Sequence, residues 1–235
     1  MPRAIAIETS GRIGSVAVAR DGVVLAEDAF PHGLQHAAEM VPRLDALCRA
    51  QGWSPADVEE LYVSVGPGSF TGLRIGVTMA KTFALATGAR LVAVPSVDVL
   101  ARNAPSDARH AVIVLDAKRD QIFTARFDRA ADGSWAPVEP AHLGSLAAML
   151  ARSPRPVHLI GEGIPFHRKF VPAGDAGVVE TPEAAWRARA AVVVELGHAA
   201  ARAGRFADAD RLTPIYIRLP EAEEKWLAAH AATGA

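Results

Sequence analysis

Residues 66–76 read GPGSFTGLRIG, and an apolar run at 61–65 leads directly into them. The run predicts a β-strand, and helical periodicity then extends from Gly72 to about residue 86. Ser69 or Thr71 is suited to cap this helix, because a hydroxyl oxygen accepts hydrogen bonds from the free N–H groups of a first turn. A strand that enters a helix through a glycine-rich turn is typical of α/β proteins.

The glycine-rich turn has two alternative roles. Free N–H groups at a helix start bind phosphate in many proteins, but the same sequence also suits a purely structural turn and cap. The turn lacks the Gly-Lys-Ser/Thr ending of a P-loop, and its glycines are not spaced as in the dinucleotide fingerprint. Phosphate binding and a structural turn both stay open at this point.

The elements around the turn form a recognisable order. Short strands at 4–7, 15–19 and 23–26 predict a meander, and Asp21-Gly22 suits its hairpin turn. A helix at 35–50, which contains Pro42, precedes the strand at 61–65, and a strand at 91–94 and a helix from Ser96 follow the motif. The order βββαβα is typical of one lobe of the actin-like ATPase and ribonuclease H-like fold.

The second half looks like a reduced repeat of the first. After a polar linker at 103–107, the sequence predicts strands at 111–115, 121–127 and 157–160, and helices at 143–151 and 184–203. We therefore predict an α/β protein with two lobes, each a mixed sheet flanked by helices, with the second lobe reduced and its meander shortened. The predicted boundaries are 1–104 for the first lobe and 105–235 for the second, which includes a terminal helix.

Composition limits the partners of the chain. Lys and Arg total 25 and Asp and Glu total 26, so the net charge is −1. A protein that binds RNA unaided usually carries a positive excess, because phosphate neutralisation supplies most non-specific affinity. We therefore expect that any contact with nucleic acid depends mainly on another molecule. The sequence shows no signal peptide and no membrane-spanning run, which predicts a cytoplasmic protein without membrane contact.

Small residues recur every four positions along the helix that follows the motif, at Gly72, Gly76, Ala80 and Ala84. A glycine in a helix interior costs up to about 1 kcal/mol relative to alanine, so a close approach should compensate. The approaching element is either a helix of another protein or the chain's own sheet. The first alternative predicts that a bulky residue at Gly76 or Ala80 blocks pairing and leaves the fold mostly intact.

Several residues are candidates for catalysis or metal binding. His32 and His36 have the spacing of a metal pair, but His32 lies beside Pro31 and Gly33 and suits a loop better than a helix. Glu8 and Asp116 follow strands and could hold a metal ion and nucleotide, yet no convincing adenosine-cradling segment accompanies them, since 161–163 is only a short Gly-x-Gly. Cys48 lies in an apolar helical pattern and is interpreted as a core residue. We predict no catalytic residue, no cofactor and no metal.

Residues 66–76 closely resemble the glycine motif of the TsaB family, the bacterial threonylcarbamoyladenosine biosynthesis subunits once grouped with glycoprotease-like proteins. The match continues through residues 79–81 (MAK), and the opening 6–10 (AIETS) is similar too, although the family more usually has Asp at the position of Glu8. Residues 115–119 (LDAKR) and 214–218 (PIYIR) extend the resemblance over nearly the whole chain in family order.

The resemblance implies an actin-like fold and membership of a complex with the catalytic subunit TsaD and the ATPase TsaE. That complex adds threonylcarbamoyl to the adenosine beside the anticodon of tRNAs that read codons beginning with A, and TsaD performs the transfer. The TsaB-like subunit is implied to be an inactive paralogue that pairs with TsaD, or with itself, through helices of its first lobe. The implied interface is Met40, Leu44, Leu47, Gly72, Gly76, Met79, Ala80, Phe83 and Ala84.

Two other functions stay open. One is an independent phosphotransferase of the actin fold, and the other is a metallopeptidase, as the older family label suggests. ATP turnover or bound metal in the purified chain alone would favour these, whereas the supporting-subunit hypothesis predicts neither.

Overall fold

The computed structural model describes residues 1–30, 36–218 and 226. Within these residues the chain forms two β-sheets and six α-helices. The strands are β1 (Arg3–Glu8), β2 (Gly14–Arg20), β3 (Val23–Phe30), β4 (Glu60–Ser64), β5 (Arg90–Val94), β6 (His110–Ile113), β7 (Leu115–Asp116), β8 (Ile122–Arg129), β9 (Trp135–Gly144), β10 (Val157–Ile160) and β11 (Val178–Glu180). The helices are α1 (His36–Ala50), α2 (Phe70–Thr87), α3 (Ser96–Ala101), α4 (Leu146–Arg152), α5 (Ile164–His167) and α6 (Ala190–Arg202).

The first sheet has the strand order β3-β2-β1-β4-β5. The first three strands form the predicted antiparallel meander, and β4 and β5 continue the sheet in parallel with β1. Strand β1 lies at the centre, and its side chains alternate between two cores, as the period of a strand requires. Ile5 and Ile7 pack beneath α1 and α2, whereas Ala4 and Ala6 pack in the core shared with α6.

The second sheet repeats this arrangement: β11, β10, β6 and β8 are neighbours in that order, β7 also pairs with β8, and β9 pairs with the far side of β8. The predicted fold class is confirmed, but the meander is not shortened, because β9 supplies its third strand. Pro137 and Pro140 concealed β9 from sequence analysis, since prolines interrupt a strand pattern and are accommodated mainly at sheet edges and bulges. The reduction lies in the helices instead, where α4 has seven residues and α5 has four.

Several predicted boundaries in the second half were wrong. The helix expected from residue 143 begins at Leu146, where the Ser145 hydroxyl accepts a hydrogen bond from the Ala148 N–H at 3.3 Å. The helix expected from residue 184 begins only at Ala190, and a 3₁₀ turn precedes it. The short strand β11 was not predicted. In both cases turn-forming sequence precedes the helix, so the helix begins several residues later than predicted.

Each half of the chain contributes a helix that packs against the sheet of the other half. Helix α3 packs against strands of the second sheet, and α6, which comes from the second half of the chain, covers the first sheet. The N–H groups of Ala190 and Ala191 donate to Ser15 Oγ and Glu27 Oε1 at 2.8 and 2.9 Å. The first lobe thus supplies acceptors for two N–H groups at the start of α6 that have no partner within the helix. The lobes therefore share one core, and the boundary at residue 104 stays a prediction.

Candidate functional site

The glycine motif brings the start of α2 against the loop that follows β1. The Ser69 N–H donates to the Ser10 carbonyl at 2.7 Å, and the Gly72 N–H donates to the Ser69 hydroxyl at 3.2 Å. A Cβ at Gly68 would lie 2.4 Å from the Ser10 carbonyl oxygen, and one at Gly72 would lie 2.0 Å from that of Thr9. These contacts explain the glycines structurally, and Ser69 is the cap.

The small-residue stripe faces the chain's own sheet. Gly72, Gly76, Ala80 and Ala84 are all buried, and a Cβ at Gly76 would lie 2.3 Å from Thr9 Oγ1 and 3.4 Å from Ile7 Cγ2. The first sheet therefore approaches α2: β1 and its following loop lie against Gly72 and Gly76, and β4 and β5 also pack against the helix. Of the two alternatives that the sequence left open, the structure supports packing of the stripe against the chain's own sheet.

A cleft between the two lobes contains cavities of about 300 and 480 Å³. Side chains from the loop after β1, the glycine motif, the end of β7 and the loop after β10 line the cleft. The charged lining residues are Arg12, Asp116, Lys118, Arg119, Glu162 and Arg218. The tertiary structure therefore places the motif and Asp116 at one cleft, and a volume of this size suits a small ligand.

Glu162 connects the two sides of this cleft. Its Oε2 accepts a hydrogen bond from the Arg12 backbone N–H at 2.8 Å, and its carboxyl group lies 3.4 Å from the position of a Cβ on Gly11. A backbone N–H of the loop after β1 is thus already bonded to a carboxylate of the same chain. An incoming anion would have to displace Glu162 from this donor.

Asp116 is similarly engaged within the chain. Its carboxylate accepts hydrogen bonds from the Lys118 N–H and Nζ at 3.1 and 2.8 Å and from His167 Nε2 at 3.0 Å. Partial burial opposes ionisation, but the hydrogen bonds from Lys118 and His167 outweigh it, so the pKa of Asp116 lies below its ordinary value. Asp116 is therefore a charged carboxylate with three donors from its own chain.

Glu8 is fully buried and does not line either cavity of the cleft. Its Oε1 accepts a hydrogen bond from the Ser10 N–H at 2.5 Å, while its Oε2 has no hydrogen-bond partner. Burial raises the pKa of Glu8 above its ordinary value, because a carboxylate loses its hydration there. Glu8 and Asp116, which the sequence suggested as a pair, are thus in opposite electrostatic environments.

The remaining candidates do not form a site among the described residues. His32 and the side chain of His36 lie outside them. Cys48 lies on the buried side of α1, and burial raises the pKa of its thiol to about 11, as expected for a core residue. Within residues 1–30, 36–218 and 226, no three His, Cys, Asp or Glu side chains are grouped to hold a metal ion, and no helix could cross a membrane.

Comparison with known proteins assigns the chain to a family. The family model described as TsaD, tRNA N6-adenosine threonylcarbamoyltransferase, matches residues 32–226. The tRNA threonylcarbamoyladenosine biosynthesis protein TsaB of Bacillus subtilis is 30% identical over 227 residues, which cover 95% of this chain and 97% of that protein. The chain belongs to the TsaB family.

Further comparisons agree with the TsaB assignment. The TsaB protein of Escherichia coli is 30% identical over 136 residues, which cover 57% of this chain and 58% of that one. The solved structure of YeaZ from Pseudomonas aeruginosa superposes with a TM-score of 0.78 at 22% identity, over 92% of this chain and all of that chain, which shows the same fold. This TsaB-family chain thus has a TsaD-like domain and a role in tRNA threonylcarbamoyladenosine biosynthesis.

The fold places the predicted interface residues of this TsaB-family chain in two groups. Six of them are buried and pack in the core on the inner side of the two helices: Met40, Leu44, Gly72, Gly76, Ala80 and Ala84. Leu47, Met79 and Phe83 are half-buried beside the same core. Whether these three contact a partner stays a prediction.

Sequence analysis missed two parts of the TsaB-family cleft. The Arg12–Glu162 contact joins residues 150 positions apart, and no local pattern connects them. His167, which donates to Asp116, lies in a four-residue helix that was not predicted. The Gly-x-Gly at 161–163 was the sequence feature that indicated this region, because it marks the turn that carries Glu162 and leads into the helix of His167.

Proposed function

We propose that this chain is the non-catalytic subunit of the bacterial complex that forms threonylcarbamoyladenosine in tRNA. In this proposal it pairs with the catalytic subunit TsaD through the outward faces of α1 and α2, and the ATPase TsaE acts with the pair. The proposal rests on the family and on one structural observation, the composition of the outward face of α2.

The outward face of α2 is almost free of charge. Its exposed residues other than Arg74 are uncharged: Thr71, Thr78, Thr82, Leu85 and Ala86. The two cations of the helix are engaged with the chain itself, since Arg74 stacks on Phe70 with its Cζ 3.9 Å from the ring centre and Lys81 Nζ donates to the Leu212 carbonyl at 3.2 Å. A helix that faces only water normally carries charged residues there, and depletion of charge is typical of an interface core.

Helix α1 extends this surface. It contacts α2, and its exposed residues include Ala38, Val41 and Ala46 as well as Asp45 and Arg49, which form an ion pair with each other. Val41 is 46% exposed and Leu85 of α2 is 68% exposed, so each helix presents an aliphatic side chain to a partner. We define Val41, Thr78, Thr82 and Leu85 as the core of the pairing face. A second copy of the chain would use the same face by two-fold symmetry when TsaD is absent.

The cleft supports the non-catalytic part of the proposal. A phosphotransferase of this architecture needs acidic groups that are available for a metal ion and N–H groups that are available for phosphate. Here Asp116 accepts three hydrogen bonds, Glu8 is buried away from the cavities, and the Arg12 N–H is bonded to Glu162. With a net charge of −1, the chain would contact tRNA only within the complex.

Co-purification with TsaD from the same organism tests the pairing face. We expect Thr78→Arg and Leu85→Arg to weaken binding at least about tenfold, since each buries an unpaired charge at the interface. Their melting temperatures should stay close to that of the parent, because both positions are exposed in the free chain. Val138→Arg is the matched control, as Val138 is a similarly exposed aliphatic residue on β9 of the other lobe. Parental affinity in both α2 variants would exclude this face.

Activity assays on the chain without TsaD test the other half of the proposal. We expect no ATP hydrolysis, no peptide cleavage and no stoichiometric metal. Robust turnover by the isolated chain, abolished by Asp116→Asn, would instead establish an independent enzyme at the cleft.

A further inference from the structure

The segment 207–218 crosses from the first lobe to the second, and we name it the C-terminal strap. Its start lies along the edge of the first sheet, where the Ala207 N–H donates to the Leu91 carbonyl at 2.8 Å. Leu212 is buried in the core beneath α2. Farther along, the Ile215 N–H donates to the Val65 carbonyl at 2.7 Å, immediately before the glycine motif. The strap is therefore fixed to the first lobe over most of its length.

The strap also holds one side of α2. Lys81 Nζ donates to the carbonyls of Asp210 and Leu212 at 3.3 and 3.2 Å, and Arg74 Nε donates to the Tyr216 hydroxyl at 3.0 Å. The ring of Tyr216 lies 5.2 Å from that of Phe70, centre to centre. Phe70, Arg74 and Lys81 are separated by four and seven residues, so they lie on one side of the helix. That side adjoins the exposed face that carries Thr78 and Leu85.

The last described part of the strap reaches the second lobe. The guanidinium group of Arg218 donates to the Ala117 carbonyl and to Gln121 Oε1. These acceptors bracket the turn between β7 and β8, in which Lys118, Arg119 and Asp120 have φ angles of 63°, 54° and 56°. Successive left-handed residues other than glycine are costly, so such a turn persists only where neighbouring contacts hold it.

We propose that the strap couples this turn of the cleft to the pairing face on α2, with Arg218 as the positioning residue. The turn and α2 belong to different lobes, and the strap contacts both within residues 210–218. Arg218 fixes the strap on the turn, and the fixed strap in turn holds Phe70, Arg74 and Lys81. A change at the turn is therefore transmitted to the side of α2 that adjoins the pairing face. This coupling deepens the proposed function and rests on it.

Hydrogen exchange of the full chain tests the strap without any partner. The reporters are the amides of Ala117, Gln121 and Ile215, whose acceptors are the Gln121, Lys118 and Val65 carbonyls. We expect Arg218→Ala to speed exchange of all three at least about fivefold, because local opening is governed by local contacts. Amides of the central strand β1 should exchange at the parental rate, which shows that the fold is intact. Arg211→Ala is the control, since Arg211 lies on the same strap with an exposed side chain.

A conservative variant separates geometry from charge. Arg218→Lys keeps the charge but loses the planar fork that reaches two acceptors at once. Exchange at the reporters should therefore stay elevated. Return to the parental rates in Arg218→Lys would overturn the positioning role of the guanidinium group. Faster exchange of the turn alone, with Ile215 unchanged, would overturn the coupling through the strap.

TsaD affinity then tests whether the coupling reaches the pairing face. We expect Arg218→Ala to weaken binding about fivefold, a coupling of ordinary size between sites, and Arg211→Ala to bind like the parent. Faster exchange at all reporters with parental TsaD affinity would overturn the link to pairing. Failure of the parent chain itself to bind TsaD would refute the proposed function, while the exchange experiment would still decide the role of the strap.

Discussion

Gly76 of α2 lies directly against Thr9, the residue after β1, so that a Cβ at Gly76 would fall 2.3 Å from Thr9 Oγ1. Gly76→Ala therefore overpacks the core, and we expect it to lower the free energy of unfolding by about 1–3 kcal/mol despite the better helix propensity of alanine. Urea unfolding of the purified variant measures this. From the sequence alone, a bulky residue at Gly76 was expected to block pairing and leave the fold intact. The contact with Thr9 instead predicts that such a residue destabilises the fold.

Thr9→Ala supplies the matched partner of this test. It removes the hydroxyl that would clash, and the Thr9 Cβ lies 3.5 Å from the position of the new atom, an ordinary contact distance. Thr9 Oγ1 also has no hydrogen-bond partner, so its loss alone should cost little. The double variant Gly76→Ala/Thr9→Ala should recover most of the lost stability. Simple additivity of the two single changes would contradict the assigned contact.

Glu8→Gln should stabilise the protein at neutral pH. The folded-state pKa of Glu8 is raised by burial, so the folded chain favours the protonated carboxyl and loses stability as pH rises above the ordinary value of a glutamate. Glutamine keeps an acceptor for the Ser10 N–H without the charge. Melting temperatures should therefore be higher for Glu8→Gln at pH 7.5 and similar to the parent at pH 4. A variant that is less stable at pH 7.5 would contradict the environment described for Glu8.

Glu60→Gln is the contrasting control for Glu8. Glu60 is also buried, but its Oε1 accepts a hydrogen bond from Arg90 Nη2 at 2.5 Å. Glutamine keeps an acceptor oxygen but removes the charge that pairs with Arg90, so Glu60→Gln should lower the melting temperature at pH 7.5. Opposite signs at two buried glutamates would show that pairing, rather than burial alone, decides the effect.

Ser15→Ala should weaken the attachment of α6 to the first sheet. The Ser15 hydroxyl accepts a hydrogen bond from the Ala190 N–H at 2.8 Å, and both residues are buried. Loss of this acceptor leaves a buried helix-start N–H unsatisfied, which costs about 1–2 kcal/mol. Thermal unfolding measures the loss, and Ser134→Ala on an exposed turn is the control. Equal stability of the two variants would show that the Ser15 hydroxyl does not stabilise the start of α6.

Cys48 should react slowly in the native protein. Its thiol is buried and its pKa is raised to about 11, so little thiolate forms at pH 8. We expect iodoacetamide labelling of the folded chain to be at least about a hundredfold slower than labelling in denaturant, because only opened molecules react. Intact-mass spectrometry over time gives both rates, and fast labelling of the folded chain would place Cys48 near the surface.

Sequence patterns located the first lobe well because its elements are specified locally. The apolar runs of β1 and β4, the Asp21-Gly22 turn and the Ser69 cap each carry their own signal, and the structure confirms them. The second lobe was predicted less well. Strand β9 contains Pro137 and Pro140, and β11 has only three residues, so neither shows strand alternation.

The sequence by itself determined the strand–turn–helix unit at 61–87, the fold class and the family, because these follow from local periodicity and a specific motif. Only the tertiary structure decided which surface the small residues of α2 face, and there they pack against the first sheet. It alone joined Arg12 to Glu162 and Arg218 to Ala117. Spacing along a helix defines a stripe of residues, but the neighbour of that stripe depends on contacts between segments far apart in the chain.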